Sequence, residues 1–217
     1  MGSGIAQLAA RSGAQTFLHD PVPEALERGL ARAREGFQRE VARGRLSAEA
    51  AQGAAQRLEP VGDLDAFAPC ELVIEAVPER LELKHELYTR LSEIVSERCV
   101  LASNTSSLLV TAIAAAASDP SRVVGMHFFN PAPVMALLEV VAGEESSPEA
   151  LALADATGEA MGKTVIRATD GPASSSTAAT VRSGSRRCAC CRSGSPTWRR
   201  STASAAWRAP FGWDRSS

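Results

Sequence analysis

Glu71-Leu72-Val73-Ile74-Glu75-Ala76-Val77 is an almost unbroken apolar run stopped by Pro78. A run of that length and Val/Ile content reads as a buried strand, and proline, which has no N–H to give a ladder, closes it. The period then changes. Leu81, Leu83, Leu87, Leu91 and Ile94 fall at helical spacing and predict an amphipathic helix with those side chains inward. Cys99-Val100-Leu101-Ala102-Ser103 reads as the next strand.

The same alternation extends in both directions. Upstream, Gln15-Thr16-Phe17-Leu18 is a short strand ending at His19-Asp20. A long charged helix follows over residues 23–43, with Leu26, Leu30 and Phe37 on one side; Gly44 ends it, and Ser47-Ala48-Glu49-Ala50 looks like the capped start of another. Downstream, Arg122-Val123-Val124-Gly125-Met126 leads into His127-Phe128-Phe129-Asn130-Pro131, and Leu137-Leu138-Glu139-Val140-Val141 runs to Gly143. Ser147 opens a last helix and Thr164-Val165-Ile166-Arg167-Ala168 is a last strand. Apolar strands in this order predict an α/β fold, a mostly parallel sheet covered by helices on both faces.

The whole-chain composition excludes some classes. No run approaches the roughly 18 uncharged apolar residues of a membrane span, and Met1-Gly2-Ser3-Gly4 lacks the pattern of a signal peptide. A cytoplasmic protein without a membrane partner is expected. Five cysteines in 217 residues do not suggest a disulfide scaffold, and a net charge of −2 points to no nucleic-acid partner.

That average hides a division. Residues 171–217 hold eight Arg, no Lys and one acid, Asp214, so the first 170 residues carry −9. All three Trp lie in the tail, which has no Leu, Ile or Met. A packed domain rarely lacks all three. The division predicts a domain over 1–172 and a disordered tail over 173–217. Cys188-Ala189-Cys190-Cys191 lacks C-x-x-C spacing, with no histidine after it, so no metal site is expected.

Dinucleotide-binding folds begin strand, G-x-G-x-x-G, helix. Here Met1-Gly2-Ser3-Gly4-Ile5-Ala6-Gln7 opens a helix with no strand before it, and Asp20 closes the next strand 18 residues after Gly2. An acid near there can bind the adenosine ribose. Taken singly, a glycine at a helix start or an aspartate after a strand is more often a cap.

In combination the motifs say more. Gly2-Ser3-Gly4-Ile5-Ala6-Gln7, Asp20, Ser103-Asn104-Thr105-Ser106-Ser107-Leu108 and Gly125-Met126-His127-Phe128-Phe129-Asn130-Pro131 occur in this order. Up to about residue 172 the chain resembles the 3-hydroxyacyl-CoA dehydrogenase family, the 3-hydroxybutyryl-CoA dehydrogenase branch. The resemblance implies a Rossmann-like, doubly wound sheet lacking its first strand, NAD as cofactor and an acyl-CoA substrate. It also implies a full-length parent that is a homodimer, whereas this chain is not expected to dimerise normally. In the family, Met1-Gly2 would be the last two residues of G-x-G-x-x-G.

The resemblance bears on the tail too. Read one base earlier, the codons of Ala173-Ser174-Ser175-Ser176-Thr177-Ala178 permit Gly-Phe-Ile-Val-Asn-Arg, as the family continues after Asp170-Gly171-Pro172. Two later stretches are family-like in the same frame. A one-base deletion near codon 172 is therefore expected, with an out-of-frame segment replacing a helical C-terminal domain. With a central strand also absent, such a chain is expected to fold poorly and to be inactive.

For the chemistry, oxidation of a secondary alcohol needs a base within about 3 Å of the hydroxyl, titrating near working pH. His127 suits this. Glu139, in the next apolar run, would fix its tautomer and favour its protonated form; an unpaired buried carboxylate would otherwise cost several kcal/mol. The resemblance implies the same dyad. It further implies that Ser106 and Asn130 bond the substrate or nicotinamide region, and that Gly2, Asp20, Glu79, Lys84 and Ser106 line the cofactor site. Glu79 could instead be the first-turn acid of its helix, and Lys84 an exposed helix residue. His19 and His85 read as surface residues, and Asp20 favours NAD over NADP, since a carboxylate repels a 2′-phosphate. The alternatives are an inactive fragment or nucleotide-binding module with a basic tail, and another NAD-dependent hydroxy-acid dehydrogenase.

Overall fold

The computed structural model describes residues 1–170 and, as backbone, a strand at 203–208. In chain order the elements are α1 (Gly2–Arg11), β1 (Gln15–His19), α2 (Pro23–Ala42), α3 (Ala48–Arg57), β2 (Leu58–Pro60), β3 (Leu72–Ala76), α4 (Leu81–Ile94), β4 (Val100–Ser103), α5 (Val110–Ala114), β5 (Val123–Phe128), β6 (Leu137–Ala142), α6 (Pro148–Ala160), β7 (Thr164–Thr169) and β8 (Ala203–Arg208). Two predicted caps are in place: the Ser47 hydroxyl accepts the Ala50 amide and the Ser147 hydroxyl the Ala150 amide. The short β2 and α5 were not foreseen, being too brief to carry a period.

One sheet runs β2-β1-β8-β3-β4-β5-β6-β7. It is mostly parallel, as expected: β1 with β2, β3 with β4, β4 with β5 and β6 with β7. β5 and β6 are antiparallel, which sets His127 opposite Glu139. The place between β1 and β3, where a strand was expected to be absent, is taken by β8. It runs antiparallel to both, with Gln15 opposite Arg208 and Ala76 opposite Ala203. The rest of the tail expected to be out of frame lies outside the described residues.

Apolar side chains cover the sheet on two faces. On one, Ile5, Leu8 and Ala9 of α1 and Ala150, Leu151 and Ala154 of α6 meet Leu72, Ile74, Val124, Met126 and Leu138. On the other, Tyr88 and Leu91 of α4 and Val110 and Ile113 of α5 meet Val73, Leu101 and Val123. Phe37 of α2 packs with Leu18, Ala54 and Leu58 at the β1–β2 end. Among the described residues no helix is long and apolar enough to cross a membrane.

The inward face of α4 differs from the leucine stripe predicted for it. Its buried residues are Lys84, Tyr88 and Leu91; Leu81, Leu87 and Ile94 are partly buried against the core and Leu83 is half-exposed. The cause lies in β3. Glu75 is 1% exposed, and a carboxylate so enclosed needs a cation. The helix is turned to deliver Lys84.

Gly125 shows how closely these layers approach. A Cβ there would lie 2.8 Å from Val141 Cβ and 2.9 Å from Val110 Cγ2. Both neighbours are β-branched and cannot rotate aside cheaply. We expect G125A to destabilise by about 1–3 kcal/mol, read as a lowered urea midpoint at constant m-value.

Candidate active site

Parallel strands with helices on both faces leave a crevice at their carboxyl edge. Here it has a volume of about 1210 Å³ and is bordered by Met1, Ala76, Glu79, Asn104, Ser106 and the segment from His127 to Asn130. Arg28 and Arg32 of α2 complete the wall. The turn after β5 closes against the start of α1, where a Cβ on Gly4 would stand 3.0 Å from Pro133 Cδ. Lys163 holds that turn from behind, its Nζ donating to the Ala132 and Met135 carbonyls at 2.6 and 2.8 Å; burial pushes its pKa below the ordinary lysine value.

His127 and Glu139 meet across the antiparallel pair, Nδ1–H donating to Oε2 at 2.7 Å. An ionised carboxylate only accepts, so Nδ1 is the donor in this pair, and in the neutral imidazole Nε2 is the nitrogen with the lone pair. Phe129 lies against the ring, centroids 4.7 Å apart. Glu139 is less enclosed than its apolar run suggested, its side chain 31% exposed. The cost of desolvating it is correspondingly smaller than for a fully buried carboxylate.

A second cluster forms where β3 and β4 end. Glu79 precedes α4 and is not a first-turn acid; its carboxylate reaches across to the next loop. It accepts the Ser106 amide at 2.6 Å, the Ser106 hydroxyl at 3.3 Å and the Thr105 hydroxyl at 2.9 Å. Lys84 Nζ stands 3.4 Å from it. Burial alone would raise the Glu79 carboxyl, but the Ser106 amide, the Lys84 ammonium and the Thr105 hydroxyl outweigh it, holding the group below its ordinary 4.5. A carboxyl lowered by folding stabilises at pH above its unfolded value, and that contribution disappears as pH falls through the folded value. We therefore expect the protection factor of the Ser106 amide, its exchange corrected for the intrinsic pH dependence of an open amide, to fall on acidification below about pH 4.5, and E79Q to abolish that fall.

Lys84 is not the exposed residue that a helix position allowed. It has no accessible surface, and its Nζ donates to both Glu75 oxygens at 2.7 and 2.9 Å and to the Ser103 hydroxyl at 3.3 Å. Burial pushes the Glu75 carboxyl upward, with the Lys84 ammonium opposing it.

The other named residues are placed as follows. Gly2 is buried in the first turn of α1, which carries no side-chain cap. Asp20 is 4% exposed just after β1, one oxygen accepting the Val22 amide at 3.0 Å, and Val22 itself lines the crevice. Ser106 and Asn130 are exposed on the crevice wall. His19 is not a surface group but is buried, with Nδ1 at 3.1 Å from the Val61 carbonyl; His85 is half-buried, with Nε2 2.7 Å from the Ala112 carbonyl. Neither borders the crevice. Among the described residues no group of three or more His, Cys, Asp and Glu is placed to hold a metal.

Three contributors had escaped the sequence reading: Glu75, Asn104 and Thr105. Asn104 Oδ1 accepts the Phe128 amide at 2.8 Å, tying the end of β4 to the residue beside His127. The available signals were an acid inside an apolar run and the neighbours of Ser106.

Comparison with known proteins agrees with the motifs. A family model described as the NAD binding domain of 3-hydroxyacyl-CoA dehydrogenase matches residues 1–171. The chain is 47% identical over 149 residues to 3-hydroxyadipyl-CoA dehydrogenase of Escherichia coli K12, covering 69% of this chain and 31% of that protein. It is 40% identical over 172 residues to a probable 3-hydroxybutyryl-CoA dehydrogenase of Deinococcus radiodurans, covering 79% and 62%. The crystal structure of (S)-3-hydroxybutyryl-CoA dehydrogenase from Ralstonia eutropha superposes with a TM-score of 0.77 at 34% identity, covering 79% of this chain and 61% of that one. The chain thus spans less than two thirds of each of these relatives.

Proposed function

Because the chain belongs to the 3-hydroxyacyl-CoA dehydrogenase family, we propose that its crevice serves the NAD-dependent oxidation of an (S)-3-hydroxyacyl-CoA to the 3-ketoacyl-CoA, a step of fatty-acid metabolism. The observation that carries this is the His127–Glu139 hydrogen bond on the crevice wall.

The residues present fit a dinucleotide. An uncapped helix start and polar groups at the ends of β3 and β4 border one crevice, with the Asp20 carboxylate just behind Val22 on its wall, the polar groups such a ligand requires. Gly2 and Asp20 would hold its adenosine half, and Glu79 and Ser106 its nicotinamide half; Lys84, which has no accessible surface, would act only through Glu79. When bound, NAD supplies the acceptor for hydride from the alcohol carbon. His127 Nε2 takes the hydroxyl proton as the C–O bond becomes a carbonyl. The imidazole acquires positive charge in that step, and the Glu139 carboxylate stabilises it while keeping the ring oriented. Asn130 and Ser106, exposed on the same wall, orient the substrate oxygen and the amide of the nicotinamide. The setting we propose is cytoplasmic, where the buried thiols of Cys70 and Cys99 stay reduced.

The test is titration with NADH followed by turnover of (S)-3-hydroxybutyryl-CoA with NAD and with NADP. Binding of NADH and NAD-dependent turnover support the assignment. Binding without turnover leaves a nucleotide module only, as an inactive fragment would behave, and absence of both refutes it.

A further inference from the structure

This inference rests on the dinucleotide reading of the crevice. We propose that the buried Lys84–Glu75 pair is a positioning device: Lys84 holds Glu79, and Glu79 holds the loop at 105–106 in the geometry that a ligand meets.

Lys84 has no accessible surface, so the crevice feels it only through what it grips. Its ammonium is saturated from below by both Glu75 oxygens and by Ser103, directly opposite Glu75 on β4. Its remaining reach is toward Glu79, at 3.4 Å. Glu79 is about one-third exposed and without an anchor could swing into solvent; instead it clamps the Ser106 amide and the Thr105 hydroxyl.

Glu75 supports the same loop a second way, its backbone carbonyl accepting the Asn104 amide at 2.9 Å. Asn104 in turn accepts the Phe128 amide beside His127. One buried pair thus reaches both Ser106 and the strand end that carries the base. Stability alone does not call for an ion pair here, since apolar residues of similar volume commonly serve as well. What apolar residues cannot do is hold a carboxylate at the rim.

The experiment uses the full chain, with K84M/E75L, E79Q and the triple variant. NADH is the binding probe, and hydrogen exchange of the Ser106 amide by NMR is a readout independent of any ligand. K84M/E75L is expected to keep a cooperative urea transition, yet to bind NADH about tenfold more weakly, the scale of one charge-assisted hydrogen bond. Its Ser106 amide is expected to exchange at least about tenfold faster. E79Q should show both effects, and the triple variant should be no worse than either, since the groups act in series.

Should K84M/E75L not fold, K84Q/E75Q, which keeps a polar contact without charge, is measured in its place. Unchanged NADH affinity and unchanged Ser106 exchange would make the pair structural only and overturn the proposal. Additive losses in the triple variant would overturn it too, by placing Lys84 on the ligand directly. If the unmutated chain binds no NADH, the dinucleotide reading fails and Ser106 exchange alone decides this one.

Discussion

His127→Gln is expected to lower kcat for oxidation of (S)-3-hydroxybutyryl-CoA by about 10²–10⁴-fold, the span attributable to one positioned base, while NADH affinity changes little. Glutamine is close in size and keeps a polar tip, so the loss isolates proton transfer from packing. The geometry gives the reason. With Nδ1–H committed to Glu139 at 2.7 Å, Nε2 is the nitrogen with a lone pair to offer. E139Q is the milder change. Its amide oxygen can still accept from Nδ1–H, so the tautomer survives, but the charge that stabilises the imidazolium is gone. The expected loss is about 1.5–3 kcal/mol, roughly 10- to 150-fold in rate. Steady-state kinetics on both variants check the pair. Near-normal kcat in H127Q would remove the base from the mechanism.

Lys84→Met is expected to have the largest effect on stability, about 3–5 kcal/mol, because it leaves the Glu75 carboxylate enclosed without a cation. Set against a typical net stability of about 5–15 kcal/mol, such a loss populates the unfolded chain at modest denaturant. Glu75 escapes the penalty only by taking up a proton, and burial already biases it that way. Stability of K84M should therefore fall further as pH rises through the elevated pKa of Glu75, since the folded state holds a proton that the unfolded state releases. K84M/E75L, which removes both charges, should recover most of the midpoint. Urea transitions of the two variants at two pH values measure this. A single variant as stable as its parent would show that the pair bears no net load.

The alternation of strand and helix and the caps at Ser47 and Ser147 were legible because they depend on local chemistry. Period, β-branching and a hydroxyl three residues before an amide are visible in any window of sequence. The His127–Glu139 pair was legible for a related reason: two apolar runs separated by a short turn lie side by side, and an acid in such a run needs a partner. The rotation of α4 was not legible. Leu81, Leu83, Leu87, Leu91 and Ile94 describe a plausible stripe, and only the position of Glu75 on the neighbouring strand reveals that Lys84 must point inward. His19 was misplaced for the same reason, since the Val61 carbonyl that it meets lies 42 residues away in sequence.

Sequence alone thus determined the succession of strands and helices and the His127–Glu139 pairing, each encoded within short stretches of the chain. Tertiary structure decided which polar groups are enclosed, that β8 lies antiparallel between β1 and β3, and that Glu79 clamps Ser106 rather than beginning a helix. Those outcomes depend on distances between segments remote along the chain. Enclosing a charge is costly enough to turn a helix, yet that cost exists only once the surrounding strands have come together.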